Sequence, residues 1–309
     1  MRKTIRLAHL SDVHLAPLPP LTLPHWNLKR ALGFINWQRK RRFLHLRSVI
    51  DRMVADLRTQ SADHIAVSGD LTNIGLPAEH MNALAWLEAL GTPNEVSVVP
   101  GNHDIYCRLW RDPGVERWRA YMRSNAYPAA SSKFPYVRIL DWVALIGLNS
   151  AVPTPPGVAS GEIDSGQLQR LDALLCELGT QVACRVVMLH HPPLPGQARP
   201  RRALRNAEAL KAILERRGAE LVIHGHNHRN MQATVASGCR AVPIVGVPSF
   251  SSARNYRDEP AASYNIYDIC GSGSALSIGL TRRGITEFSD EIQVLDRCEL
   301  TGIDAVTDN

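Results

Sequence analysis

The chain has 309 residues, of which 45% are hydrophobic and 21% are charged, and its formal net charge is +6. These values are ordinary for a globular protein and exclude a disordered, collagen-like or coiled-coil chain. The longest apolar run, from Trp142 to Leu148, is much shorter than the roughly 18 residues that a membrane span needs.

Short apolar runs alternate with segments of helical period along the chain, which predicts an α/β fold with a largely parallel sheet. The clearest helix carries an apolar stripe from Leu46 to Leu57. Further short runs between Met231 and Ile285 predict a mixed or second sheet. The predicted strands are 4–10, 64–67, 95–99, 142–148, 185–189 and 221–223, and the other predicted helices are 78–90, 165–178 and 206–217.

The composition gives expectations about domains and location. We predict one domain over residues 1–288 and an acidic tail over residues 289–309. No signal peptide is predicted, because Arg6, His9 and Asp12 interrupt any apolar core near the N-terminus. The six cysteines show no CxxC spacing, which is typical of reduced thiols. We therefore expect a cytoplasmic protein.

The positive charge is concentrated in one segment. Seven Lys or Arg residues and no acidic residue lie between positions 13 and 50, together with Trp26, Phe34, Trp37 and Phe43. A patch of this kind attracts polyanions or anionic lipid headgroups. A solvated helix with its aromatic rings packed inward would have the same composition, so both interpretations stay open.

Potential metal ligands follow the predicted strands, at the point where each strand ends. In an extended strand end, residues i and i+2 point the same way, so Asp12 and His14 can meet one ion. Because strand ends meet at one edge of an open sheet, we expect the whole set to gather there. The set consists of Asp12, His14, Asp70, Asn102, His103, Asp104, His190, His191, His224, His226 and His228.

The chemistry of these side chains indicates the kind of metal site. Carboxylate, amide and imidazole groups without thiolate suit Mn, Fe or Zn. They also exceed the number of ligands that one tetrahedral ion can use. For three carboxylate or amide groups and four imidazoles, two ions about 3.5–4 Å apart that share one carboxylate are the economical solution.

The motifs Asp-x-His, Gly-Asp, Gly-Asn-His-Asp, His-His-Pro and Gly-His-x-His occur in this order over about Ile5–Ile269. Together they resemble the calcineurin-like metallophosphoesterases, and most closely the bacterial cyclic-nucleotide phosphodiesterase branch. The resemblance implies a four-layer α/β/β/α sandwich with two mixed sheets. It also implies that one ion is held by Asp12, His14 and His228, that the other is held by Asn102, His190 and His226, and that Asp70 bridges both.

The resemblance also suggests residues that act on the substrate. It implies that His103 donates a proton to the leaving alkoxide, and we expect Asp104 either to orient His103 or to cap a helix. We further expect substrate contacts from Asn73, His191 and Arg199.

The expected function is hydrolysis of 3′,5′-cyclic nucleotides or similar small phosphodiesters by two divalent or mixed-valence metal ions. The alternative is a membrane-surface hydrolase of a lipid-linked phosphate or pyrophosphate, similar to the UDP-2,3-diacylglucosamine hydrolases. That alternative depends on an insertion at residues 16–46, of which residues 26–46 would contact lipid. Arg39 and Arg42 interrupt the apolar stripe of the helix in this insertion, which weakens the alternative. We do not expect a nucleic-acid substrate or a decayed binding scaffold, and the oligomeric state stays open.

Overall fold

The computed structural model describes residues 4–109, 112–125, 134–238, 240–271, 276–286 and 289–300. Its strands are β1 Thr4–Leu10, β2 His64–Val67, β3 Val96–Val98, β4 Tyr136–Leu140, β5 Val143–Gly147, β6 Cys184–Met188, β7 Leu221–His224, β8 Met231–Ser237, β9 Arg240–Gly246, β10 Ser263–Cys270, β11 Ser277–Thr286 and β12 Ser289–Glu299. Its α-helices are α1 Leu28–Arg39, α2 Arg47–Thr59, α3 Pro77–Leu90, α4 Ser165–Gln181 and α5 Ala207–Arg217. Every strand and helix predicted from the sequence is present.

The strands form two mixed sheets of six strands each. The first sheet has the order β12-β11-β10-β1-β2-β3, in which β1, β2 and β3 are parallel. The second sheet has the order β4-β5-β6-β7-β9-β8, in which β5, β6, β7 and β9 are parallel. The parallel strands form one side of the first sheet, out to the edge strand β3, and the middle of the second sheet. Their carboxyl ends can build a common site.

Three apolar clusters define the layers of the fold. One cluster joins α2 and α3 to the first sheet, and includes Ile50 and Leu87. A second joins α4 and α5 to the other sheet, and includes Leu171 and Leu210. The third lies between the two sheets, with Tyr267 among its members. The predicted four-layer α/β/β/α sandwich is therefore confirmed.

The prediction of an acidic tail is wrong for residues 289–299. These residues form β12, which pairs antiparallel with β11 at the edge of the first sheet. Ile292 packs against the cluster that joins α2 and α3 to the first sheet, and Cys298 packs against the cluster between the two sheets. The acidic composition of this segment does not indicate a strand. Residues 301–309 lie outside the described part of the chain.

The insertion, residues 16–46, consists of a short 3₁₀ turn, helix α1 and a second 3₁₀ turn at Arg41–Phe43. Phe34 and Trp37 pack against a small cluster around Ile74, as the inward-packing interpretation predicted. Trp26 and Phe43 remain exposed. None of the helices in the described ranges combines the length and apolarity that crossing a bilayer requires.

Candidate metal centre

Six of the predicted ligands form two groups of three buried side chains. Within each group, one potential ligand atom from every residue lies within 4.8 Å of the others. The first group is Asp12, His14 and His228, and the second is Asp70, His190 and His226. The seventh predicted ligand, Asn102, places its Oδ1 at 3.2 Å from Nε2 of His190. The structure thus gathers all seven side chains, which come from loops that follow five different strands.

The first group is centred on the carboxylate of Asp12. Its Oδ1 lies 3.0 Å from Nε2 of His228 and 3.9 Å from Nε2 of His14. The other ring nitrogen of each histidine has its own partner. Nδ1 of His14 donates to the carbonyl of Thr72, and Nδ1 of His228 donates to Oε2 of Glu259. These bonds hold both rings with Nε2 directed toward the carboxylate.

The second group is centred on Nε2 of His190. This atom lies 3.4 Å from Oδ2 of Asp70 and 3.2 Å from Nδ1 of His226, besides its contact with Asn102. The Nδ1 of His190 donates to the carbonyl of Ser68 at 2.7 Å. Four potential donor atoms therefore converge on one point.

The backbone at the site is in an uncommon conformation. Five of the predicted ligands have a positive φ, between 43° and 71°: Asp12, His14, Asp70, His226 and His228. Residues other than glycine rarely adopt this left-handed conformation, which costs on the order of 1–3 kcal/mol each and persists where the surrounding structure imposes it. The strand β1 ends at Leu10. Asp12 and His14 are therefore brought together by a left-handed turn and not by the strand alternation that the sequence suggested.

Two glycines allow the loops to approach each other closely. A Cβ atom on Gly101 would overlap the carboxylate of Asp70, and a Cβ on Gly225 would overlap the hydroxyl of Ser11. Each glycine precedes a candidate ligand in the chain. The Gly-Asn-His-Asp and Gly-His-x-His motifs thus need glycine for steric reasons.

The charges of the two groups are arranged in complementary pairs. Burial lowers the pKa of His228, but the Asp12 and Glu259 carboxylates outweigh it and raise that pKa to about 9. Burial likewise opposes the charge on His190, and Asp70 raises its pKa to about 9. Burial, followed by the neighbouring cations, holds the pKa of His14 well below its usual range. Each carboxylate therefore draws positive charge to itself.

The residues present fit a pair of metal ions. Nε2 of His14 is buried and has no hydrogen-bond partner among the described residues. Leaving such an atom unpaired is costly, and a bound cation would remove the cost. The rings of His14, His190 and His228 are anchored through their second nitrogen, as metal-binding histidines usually are.

His103 lies beside the two groups and does not belong to either. Its ring centroid is 5.0 Å from that of His14, and its backbone N–H donates to Oδ1 of Asp70 at 2.7 Å. Nδ1 donates to the carbonyl of Asn73. Nε2 accepts a hydrogen bond from the guanidinium of Arg41 at 2.9 Å. The ring is thus held from both sides.

Asp104 has no described side-chain contact with the ring of His103, and its predicted role stays a prediction. Its carboxylate accepts hydrogen bonds from the backbone amides of Asp70, Thr72 and Gly101 at 2.8–2.9 Å. Both oxygens are therefore used to join two loops of the site. The carbonyl of Asn73 holds the ring instead.

The three predicted substrate contacts lie elsewhere. The side-chain amide of Asn73 donates to the carbonyl of Leu15, and the ring of His191 lies between Ser150 and the carbonyl of Ala159. Arg199 is exposed at the surface. The cavity over the candidate ligands has a volume of about 220 Å³, and none of these three residues lines it. Substrate contacts from these three residues stay a prediction.

The cavity is also lined by residues that were not among the predicted site residues. Arg41, Lys40 and His45 come from the insertion, Arg202 follows the His190 loop, and Glu259 precedes β10. The sequence signals for them were two basic clusters, residues 29–47 and 199–205, and no motif marks His45 or Glu259. The insertion therefore supplies one wall of the cavity.

Comparison with known proteins is consistent with this geometry. The sequence profile of the calcineurin-like phosphoesterases matches residues 5–230. A probable cyclic nucleotide phosphodiesterase from Synechococcus is 29% identical over 177 residues, which cover 56% of this chain and 61% of that protein. A glycerophosphodiester phosphodiesterase from Enterobacter lignolyticus is 32% identical over 187 residues, which cover 57% and 61%. The matched part of the chain thus spans 61% of the length of each of these relatives.

Solved structures show the same fold at low sequence identity. A dimetal phosphatase from Danio rerio superposes with a TM-score of 0.64 at 16% identity, covering 94% of this chain and 98% of that one. A purple acid phosphatase from yellow lupin superposes with a TM-score of 0.58 at 14% identity, covering 96% of this chain and 53% of that one. These likenesses concern the fold alone.

Proposed function

This chain belongs to the calcineurin-like phosphoesterase family, and we propose that it hydrolyses 3′,5′-cyclic nucleotides or similar small phosphodiesters with the help of two metal ions. The observation that carries the proposal is the pair of adjoining ligand groups at the bottom of a small cavity with basic side chains. Two relatives named as phosphodiesterases support the reaction class.

The ligand assignment is part of the proposal. When bound, the ions neutralise the phosphate oxygens and lower the pKa of the attacking water. Their identity is left open among Mn, Fe and Zn, which carboxylate, amide and imidazole ligands all suit. One ion would be held by Asp12, His14 and His228, the other by Asn102, His190 and His226, and Asp70 would bridge them.

His103 is proposed to protonate the leaving oxygen. Its Nδ1 is fixed by the carbonyl of Asn73, so Nε2 is the atom that can deliver a proton into the cavity. Arg41 contacts that same Nε2. An anionic phosphate would compete for the guanidinium and leave the lone pair of Nε2 free, so the ring could take up a proton from water there and pass it to the leaving oxygen only when substrate is present.

Arg41 is proposed to bind the non-bridging oxygens of the phosphate. Arg41→Gln is expected to raise KM and lower kcat/KM by about 10 to 100-fold, because one charge-assisted hydrogen bond to the substrate is lost. Steady-state kinetics on a soluble diester measures the change.

Arg47→Gln is the matched control for this experiment. Arg47 has the same side chain and lies in the same basic segment, but it pairs with Asp51 on the surface of α2. We expect its kcat/KM to stay within about twofold of the wild type, since surface ion pairs contribute little. Equal kinetics for Arg41→Gln and the wild type would remove Arg41 from the substrate site.

A substrate panel on Mn²⁺-loaded protein tests the proposed reaction. The panel contains a phosphomonoester, an open diester, 3′,5′-cyclic nucleotides, a nucleotide-linked lipid and single-stranded DNA. We expect the highest kcat/KM on the cyclic nucleotides or the open diester, and loss of activity after chelation. Preference for the phosphomonoester, or unchanged activity in chelator, would contradict the proposal.

A lipid-linked phosphate or pyrophosphate is the second candidate substrate. It is favoured by one observation, which is that Asn36, Lys40 and Arg41 of the insertion line the cavity. The small cavity does not favour a nucleic acid. A cytoplasmic location stays a prediction.

A further inference from the structure

Helix α1 exposes three of its aliphatic side chains and buries two of its basic ones, while Phe34 and Trp37 pack inward. Lys29 and Arg30 are only 8% and 4% exposed, whereas Leu28, Leu32 and Ile35 are 70%, 49% and 46% exposed. The last three follow the spacing i, i+4, i+7 and therefore share one face, which we name the outer face of α1. A helix on the surface of a globular protein normally has the opposite arrangement.

Hydrogen bonds fix this orientation. Nζ of Lys29 donates to the carbonyls of Tyr106 and Thr154, both at 2.8 Å, and to the Thr154 hydroxyl at 3.0 Å. Arg30 donates to the carbonyls of His25, Ile74 and Gly75. Turning the apolar face inward would break all of these bonds and leave the accepting carbonyls without their donors. The exposure of the outer face is therefore specified by the rest of the fold.

The charge around the outer face indicates what would cover it. Arg39 and Arg42 are exposed next to it, and the exposed rings of Trp26 and Phe43 lie at either end of α1 in the chain. No acidic residue occurs between positions 13 and 50. In a dimer formed through the outer face of α1, one basic surface would lie against another, which is unfavourable. Anionic lipid headgroups over an apolar interior match both the charge and the apolar face.

We propose that the outer face of α1 binds the surface of an anionic lipid bilayer. Asn36 and Lys40 line the cavity and lie on or directly after the same helix. Docking through the outer face therefore holds the cavity close to the bilayer surface. This inference does not depend on which ester is hydrolysed, or on whether the protein is an enzyme.

Vesicle flotation with the full-length protein tests the proposal. We expect the protein to float with vesicles of equimolar phosphatidylglycerol and phosphatidylcholine, to float much less with phosphatidylcholine alone, and to be released partly by high salt. The triple variant Leu28→Gln, Leu32→Gln, Ile35→Gln should lose at least about tenfold in partitioning, because it removes the apolar contact and keeps the charge.

Met81→Gln is the matched control, because Met81 is an exposed apolar side chain on α3, outside the insertion. It should float like the wild type. Circular dichroism and kinetics on a soluble diester check that the triple variant is folded. Absence of flotation with anionic vesicles, or equal flotation of the triple variant and the wild type, would overturn the proposal. Dimerisation that the triple variant abolishes would overturn it in favour of an interface between two copies.

Discussion

Asp70→Asn is expected to reduce the bound metal from two ions to one or none and to lower phosphodiester hydrolysis by more than about a hundredfold. Removing a residue that only supports a metal ligand already lowers metal affinity or activity by about 10–100-fold. Asp70 is proposed as a ligand of both ions, so its loss should cost more. Its Oδ2 lies 3.4 Å from Nε2 of His190. Asparagine keeps the size of the side chain and tolerates the φ of 54° at this position, so the change removes mainly the charge.

The measurement is elemental analysis after saturation with Mn²⁺ and removal of free metal, alongside kinetics on an open diester. Asp51→Asn is the control, because Asp51 is an exposed carboxylate on α2 that pairs only with a surface arginine in the described contacts. We expect Asp51→Asn to bind metal like the wild type. If Asp70→Asn still holds both ions, Asp70 does not bridge them.

The position of the metal ligands could be predicted because the ligands follow shortly after buried strands in the sequence. A buried strand appears as an apolar run, and a polar residue directly after it must lie at the sheet edge. Asp70, which follows β2, and His190, which follows β6, could be placed in this way before any coordinates were known. The resemblance of the motifs then gave the four-layer fold and the two ligand sets.

Features that depend on packing could not be predicted. Arg41 belongs to a run of four basic residues, and charge alone does not say which of them enters the cavity. Its direction is decided by α1, whose orientation depends on hydrogen bonds of Lys29 and Arg30 with carbonyls distant in the chain. The strand at 289–299 was not predicted, because its acidic residues interrupt the alternation of apolar and polar residues that indicates a strand.

His103→Ala is expected to lower kcat by about 10² to 10⁴-fold while the metal content stays near that of the wild type. The metal should remain because the ring belongs to neither ligand group. The loss should be largest for substrates with poor leaving groups, since these depend most on protonation of the leaving oxygen. Kinetics on a nitrophenyl diester and on a cyclic nucleotide, measured with the same metal-loaded preparation, compare the two cases.

His25→Ala is the control for this variant, because His25 lies in the insertion and its ring contacts only the hydroxyl of Thr22 in the described contacts. Its activity should be unchanged. Added imidazole should restore part of the activity of His103→Ala, because the truncation leaves space beside Tyr106, on which the ring of His103 stacks. An equal loss on both esters would contradict proton donation by His103. Alanine keeps the backbone N–H that binds Asp70, so the comparison reports on the ring alone.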